Sequence, residues 1–196
     1  MSTPTFNAPV RRPKAADRRR AGGGALTTAS LIIATLTTGL TAGVFTDWSN
    51  TIMPGLRDLD DRTFVTAFRA LNEAIDNPLF VGVEFTGALL FIGLSVALHL
   101  RPGRRRVLLW VGAALAFYLV ANVVTFGVHF PLNDKIMEGG ELRTDADFAA
   151  ARARLDEAKW TAWNTVRALS TTLAFGCLTW ALAIHRHPAP TERTEH

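Results

Sequence analysis

At 196 residues the chain has room for one ordinary domain, and its 48% hydrophobic and 19% charged residues, with a formal net charge of +4, do not by themselves mark any class. The charges are segregated, however, and leave four apolar segments near residues 25–46, 79–98, 107–128 and 164–184. The excess of basic residues is thus confined to the connections and ends. It argues for a membrane topology and against a nucleic-acid partner.

Each apolar segment is close to the ~20 residues that cross a hydrocarbon core about 30 Å thick. The two-residue alternation of a barrel strand is missing, so helices are the structures that can satisfy their own backbone in lipid. The expected fold is all-α: a membrane-embedded antiparallel four-helix bundle with two short outer helices and a disordered basic N-terminal tail. The boundaries read as 1–24 for the tail, 25–185 for the four-span domain and 186–196 for a flexible tail. A cleaved signal peptide fits poorly, because the first apolar run is too long and lacks a small-x-small site.

The N-terminal tail carries Arg11, Arg12, Lys14, Arg18, Arg19 and Arg20, and the short connection between the second and third segments carries Arg101, Arg104, Arg105 and Arg106. Together with the C-terminal tail these parts hold 12 basic and 3 acidic residues, against 8 basic and 13 acidic in the two other connections. The positive-inside rule then predicts a multi-pass protein of the cell membrane with both termini cytoplasmic.

Along the first span Ser30, Ala34, Thr37 and Thr41 form a stripe of small side chains suited to close helix packing. Past Trp48, an aromatic suited to the interface, Met53-Pro54-Gly55-Leu56 reads as a turn. Asp60 or Asp61 then caps a short amphipathic helix with Phe64, Phe68, Leu71 and Ile75 on one face, placed along the membrane surface or over the bundle mouth. Asn77-Pro78 opens the second span as N-cap and first helical residue.

Glu84 is the only acidic residue within an apolar segment, roughly 8 Å below the outer end of its helix. A carboxylate at that depth is a functional candidate. Its plain structural alternative is an ion pair with Arg167, the one basic residue within a span. On the third span Tyr118, Asn122, Thr125 and His129 project from one face, and Pro131 predicts that the helix ends just past the histidine. Thr144-Asp145-Ala146-Asp147 resembles a capping box, and the helix it starts is expected to run without a break into the fourth span. There Trp160, Asn164, Arg167 and Thr171 repeat the polar stripe; Trp160 and Trp163 serve either as interface anchors or as site walls.

Antiparallel packing brings Glu84, Asn122, Thr125, His129, Asn133, Asn164 and Arg167 to the outer third of the bundle, beside Trp160 and Trp163. This is equipment for acid-base and hydrogen-bonding chemistry next to aromatic surface. The histidines are spread so that no two share a site, no pair of Glu-x-x-His motifs exists, and no metal or cofactor is expected. The lone Cys177 excludes an internal disulfide and a Cys-x-x-Cys pair, and no glycine-rich phosphate loop is present.

Met53-Pro54-Gly55-Leu56, Asn77-Pro78-Leu79-Phe80, Thr125 with Pro131-Leu132-Asn133-Asp134, and Trp160 with Trp163-Asn164 and Arg167 resemble, in this order, the motifs of the anthrone-oxygenase-like family of small four-span membrane proteins. The resemblance spans roughly residues 30–185. Much of that family is known only as a domain of unknown function. Its polyketide-pathway members imply a monooxygenase-type reaction in which O2 oxidises a phenolic anthrone to a quinone. Where the family pattern has Asn-Val before Pro-Leu-Asn, this chain has His129-Phe130.

Two functions follow. In the first, a cofactor-independent oxygenase, His129 is the base, since an ordinary imidazole titrates near pH ~6.5. Arg167, Asn164 and Asn133 then donate to the developing oxyanion. Glu84, Asn122, Thr125, Trp160 and Trp163 bind the aromatic substrate. In the second, the chain is a non-catalytic bundle of structural or accessory role whose polar cluster fixes helix register, with His129 bonded to a neighbouring helix end. Neither reading sets the oligomeric state.

Overall fold

The computed structural model describes residues 15–100 and 103–185. Side chains before Gly24, residues 101–102 and the whole C-terminal tail lie outside the described residues, as does the N-terminal tail up to residue 14. Helix α1 (Ala15–Asp47) starts inside the stretch read as a disordered tail. No strand occurs among the described residues.

Four helical rods have the length and apolarity to cross a membrane: Gly24–Arg57, Pro78–His99, Arg105–Met137 and Glu157–His185. Spans one and three, at 34 and 33 residues, are about 50 Å long and therefore outreach a hydrocarbon core of about 30 Å at one end. Each is a compound helix. Span one joins α1 to α2 (Met53–Arg57) through a π-helical turn, π1 (Trp48–Ile52). Span two begins as π2 (Pro78–Thr86) and continues as α4 (Gly87–His99), after the intervening α3 (Asp61–Ile75). Span three joins α5 (Arg105–Val124) to α6 (Phe130–Met137) through π3 (Thr125–His129). Then come α7 (Asp145–Leu155) and α8 (Glu157–His185), the fourth span.

These π turns correct two expectations. Met53-Pro54-Gly55-Leu56 is helical, and Pro131 does not end the third span. A proline inside an α-helix lacks its N–H and strikes the carbonyl four residues back. Here the residue before each proline bonds five residues back instead, Met53 N–H to the Trp48 carbonyl and Phe130 N–H to the Thr125 carbonyl. The wider turn makes room for the ring, and the rod continues.

The spans close a ring in which α1 packs on α4, α4 on α5, α5 on α8 and α8 on α1. Spans two and four are therefore diagonal. Ser30, Ala34, Thr37 and Thr41 are all buried in α1, where small side chains allow close approach. Ser95 of α4 donates to the Ser30 hydroxyl at 3.2 Å. One apolar core runs through the bundle from Leu31, Ile92, Val111 and Leu178 to Phe45, Phe85 and Tyr118. A second fills one end, where α3 and α7 form a cap packed on Trp48, Met53, Leu132, Ile136 and Trp160. We call this the capped end.

The cap follows from local sequence. Asp60 is the N-cap of α3, accepting from the Thr63 amide and hydroxyl, and these bonds hold its carboxyl below the usual range. Phe64 and Phe68 are buried, but Leu71 faces outward at 37% exposure, so the apolar face is narrower than its spacing suggested. Thr144 and Asp147 form the expected capping box. The helix it opens does not run into span four. Asp156 is left-handed, with φ 53°, and its carboxylate caps the α8 amide of Lys159, so α7 folds back over the bundle instead of extending it. Arg152 fastens this fold. Its guanidinium donates to Glu157 Oε1 at 2.7 Å, to the Leu59 carbonyl at 2.7 Å and to the Arg57 carbonyl at 2.9 Å, while lying 4.1 Å from the centre of the Phe64 ring.

Arg152→Ala is expected to loosen the cap and leave the four spans intact, since each lost charged hydrogen bond is worth about 1.5–3 kcal/mol locally. Limited proteolysis should then cut at residues 57–61 in the variant before the parent. Equal resistance of the two proteins would show that Arg152 does not hold the cap.

Candidate functional site

Below the cap lies a cavity of about 410 Å³, and all three π turns open onto it. Phe45 and Trp48 come from span one, Phe80, Val81, Phe85 and Thr86 from π2, Thr125, Phe126 and His129 from π3, and Trp160 and Arg167 from α8. A π turn widens the helix and leaves carbonyls out of register. Two of these are recovered by side chains: Thr41 donates to the Glu84 carbonyl at 3.0 Å, and Tyr118 to the Phe85 carbonyl at 2.8 Å. The cavity is thus held open by satisfied backbone.

Arg167 occupies its floor, 7% exposed. Its Nε and NH2 donate to Asn164 Oδ1 at 3.1 and 2.6 Å, its NH1 approaches Thr125 Oγ1 at 3.4 Å, and its guanidinium lies 3.9 Å from the Phe45 ring centre. Among the described residues it forms no ion pair. Asn164 is itself fixed, donating to the Phe45 carbonyl at 3.0 Å and Ser49 Oγ at 2.7 Å. The cation is therefore held by dipoles and a ring face.

His129 is buried against Trp160, the two rings edge to face at 4.9 Å. Its Nδ1 lies 3.3 Å from the Val124 carbonyl, which can only accept, so Nδ1 carries the proton. Nε2 is then a lone-pair acceptor, and it has no partner among the described residues. Asn133 bridges the roof, accepting from Trp160 Nε1 at 2.8 Å and donating to Asn72 Oδ1 of α3 at 2.7 Å.

Of the residues singled out in the sequence, Thr125, His129, Asn133, Trp160 and Arg167 line one cavity, and Asn164 stands directly behind Arg167. Asn122 is buried but bonded to the Tyr118 carbonyl of its own helix. Trp163 points away, 41% exposed. Glu84 is half-buried, lines no part of the cavity and does not pair with Arg167. The diagonal placement of spans two and four, with π2 packed on α1, separates them. Phe45, Phe85, Asn72 and Ser49 were not anticipated. Phe45 and Phe85 carry no polar signature, while Asn72 follows the apolar face of α3 by helical spacing and offered a usable sign.

The histidines also need correction. His99 and His185 meet at the end of the bundle opposite the cap, with Nε2 of His99 and Nδ1 of His185 3.4 Å apart. Among the described residues no group of three or more His, Cys, Asp and Glu side chains converges.

Fold and cavity define a four-span helical membrane protein with a chamber rich in aromatic rings and floored by a buried cation. The family model described as anthrone oxygenase matches residues 78–177, about half of the chain, and the chain belongs to that family. The match contains His129, Asn133, Trp160, Asn164 and Arg167 but not the span-one wall of Phe45 and Trp48. No curated protein and no solved structure matches the chain.

Removing the Asn164 side chain strands Arg167, so Asn164→Leu is expected to destabilise the protein by about 3–5 kcal/mol, and Asn164→Leu with Arg167→Met by less than the sum of the two single changes. Glu84→Gln should stay within about 0.5 kcal/mol of the parent, as no partner is lost. Thermal unfolding in one detergent measures all four variants. Additive losses at Asn164 and Arg167 would mean that the amide does not carry the guanidinium.

Proposed function

We propose that the chain is a cofactor-independent oxygenase that converts an anthrone-like phenolic compound and O2 to a quinone and water, with its chamber below the α3–α7 cap as the active site. The observation that carries this reading is Arg167: a guanidinium buried with no carboxylate paired to it among the described residues, facing a chamber rich in aromatic rings. Such a floor suits a flat ligand whose oxygen becomes negative during reaction.

In this proposal His129 Nε2 takes a proton from the activated ring methylene, and the carbanion is delocalised onto the carbonyl oxygen as an enolate. Arg167 donates to that oxygen. One electron passes to O2, and recombination of the radical pair forms the C–O bond of a peroxide, which takes up a proton. Loss of the second methylene proton with cleavage of the O–O bond expels hydroxide and leaves the quinone carbonyl. Trp160, held by Asn133, keeps the ring flat against the wall. Thr125 and Asn164 orient the guanidinium. Glu84, Asn122 and Trp163 have no direct part.

The assay is purified protein with an anthrone under O2 in the presence of a chelator, following quinone absorbance and O2 uptake. Arg167→Gln is expected to lower kcat by about 10²–10³, the cost of one oxyanion donor. His129→Asn is expected to lower it by a similar order through loss of the base. Full turnover of His129→Asn from pH 5 to 8, with Arg167→Gln inactive but folded, would leave the substrate's own acidity as the source of the carbanion. No turnover by the parent, over a range of anthrones, would favour a non-catalytic bundle.

We infer from the basic connections a topology with the capped end outside the cell and the termini in the cytoplasm. Labelling of intact cells is expected to reach Asp145→Cys and not Ser2→Cys; the reverse pattern puts the chamber on the cytoplasmic side.

A further inference from the structure

The chamber has two boundaries of different character. Towards water it is bridged: the Trp160–Asn133–Asn72 hydrogen bonds tie span four to α6 and α3, Phe68 lies edge to face on Trp48 and Trp160, and Arg69 binds the Ile136 and Glu138 carbonyls. Towards the bilayer it is not. Val81, Phe126 and Phe130 line the chamber and are at the same time 39, 56 and 50% exposed, on the apolar faces of spans two and three.

The packing explains the gap. The inner halves of these spans, α4 and α5, lie against each other, but π2 packs on α1 and π3 on α8, so the outer halves lean apart. Phe85 and Phe126, with ring centres 6.2 Å apart, bridge the crevice near its lower limit. Phe126, Phe130 and Asp134, four residues apart, follow one edge upward. Asp76, just ahead of span two, stands on the other edge, and both carboxylates are exposed. Ionised carboxylates are costly in hydrocarbon, which sets Asp76 and Asp134 at the headgroup level with the phenylalanines below them.

We propose that the chamber is a lateral slot that loads from the bilayer leaflet on the capped side, passing a flat lipid-soluble aromatic between Val81 on one side and Phe126 and Phe130 on the other. The aromatic class rests on the function proposed above; the route does not. A neutral phenolic ketone concentrates in lipid, slides between rings without shedding a charge, and meets the cation of Arg167 only at the floor. An apolar substrate would gain nothing from a water-facing mouth, which accounts for the hydrogen-bonded roof.

The test uses the full chain in lipid nanodiscs with Trp110, Trp163 and Trp180 changed to Phe, which leaves Trp48 and Trp160 as reporters inside the chamber. Lipids brominated near the middle of the acyl chain are expected to quench their fluorescence, and aqueous iodide is not. Val81→Phe in the same background narrows the slot without altering either reporter, and should remove most of the bromolipid quenching. Quenching by iodide, no quenching by bromolipid, or bromolipid quenching that Val81→Phe leaves unchanged each overturns the lateral route. No anthrone and no turnover enter this measurement, so a failed oxygenase assay leaves it standing, and a closed slot leaves the oxygenase reading to be judged by its own assay.

Discussion

In a hydrocarbon medium a backbone carbonyl or amide has no water to turn to, and each helix must account for its own polar groups. Pro54 and Pro131 sit inside helical rods, where that account is hardest to close, while Pro78 opens span two at its first helical position, where the missing N–H is no loss. A π turn adjoins each of the three, with displaced carbonyls bonded further along the helix or to a side chain of a neighbouring span. The consequence is geometric. Wider turns push side chains outward at one level of the bundle, and because all three prolines lie towards the same end, a chamber opens there.

Within the chamber the unusual element is a buried cation that pairs with no anion among the described residues. A carboxylate beside Arg167 would ease its burial but would also cancel its field. Asn164 offers a carbonyl dipole in place of a charge, and Phe45 offers a ring face, so desolvation is offset while the guanidinium stays electrostatically unsatisfied. Glu84, the one carboxylate at comparable depth, belongs to the diagonal span and cannot neutralise it. Bundle topology, more than any single residue, keeps the charge available to a ligand.

The sequence made the spans, the caps at Asp60, Asn77 and Thr144, and the gathering of Thr125, His129, Asn133, Trp160 and Arg167 legible, because each depends on composition or on helical spacing alone. The π turns were not legible. Proline is read by its ordinary effect in an α-helix, and nothing in one sequence tells a helix that stops from a helix that widens. The break at Asp156 was hidden for a related reason, since a single left-handed aspartate leaves the surrounding propensities unchanged. The pairing of Glu84 with Arg167 failed on topology: depth is counted in residues, but which spans adjoin is not, and spans two and four stand diagonally. His99 and His185 were not joined by that reading, although spans two and four run in the same direction and finish at the same end of the bundle.

The two halves of the bundle then divide the work of folding and of binding. Away from the cap, Ser30, Ala34, Thr37 and Ser95 allow close helix contact, and stability comes from packing over many small side chains. At the capped end packing is given up to make a cavity, and the loss has to be made good by elements that need not lie in lipid. That is why α3 is amphipathic and α3 and α7 are capped by their own aspartates and threonine and clamped by the charged hydrogen bonds of Arg152. A lid built this way can be firm towards water while, on the proposed route, the side facing lipid, lined by Val81, Phe126 and Phe130, yields to a hydrophobic guest.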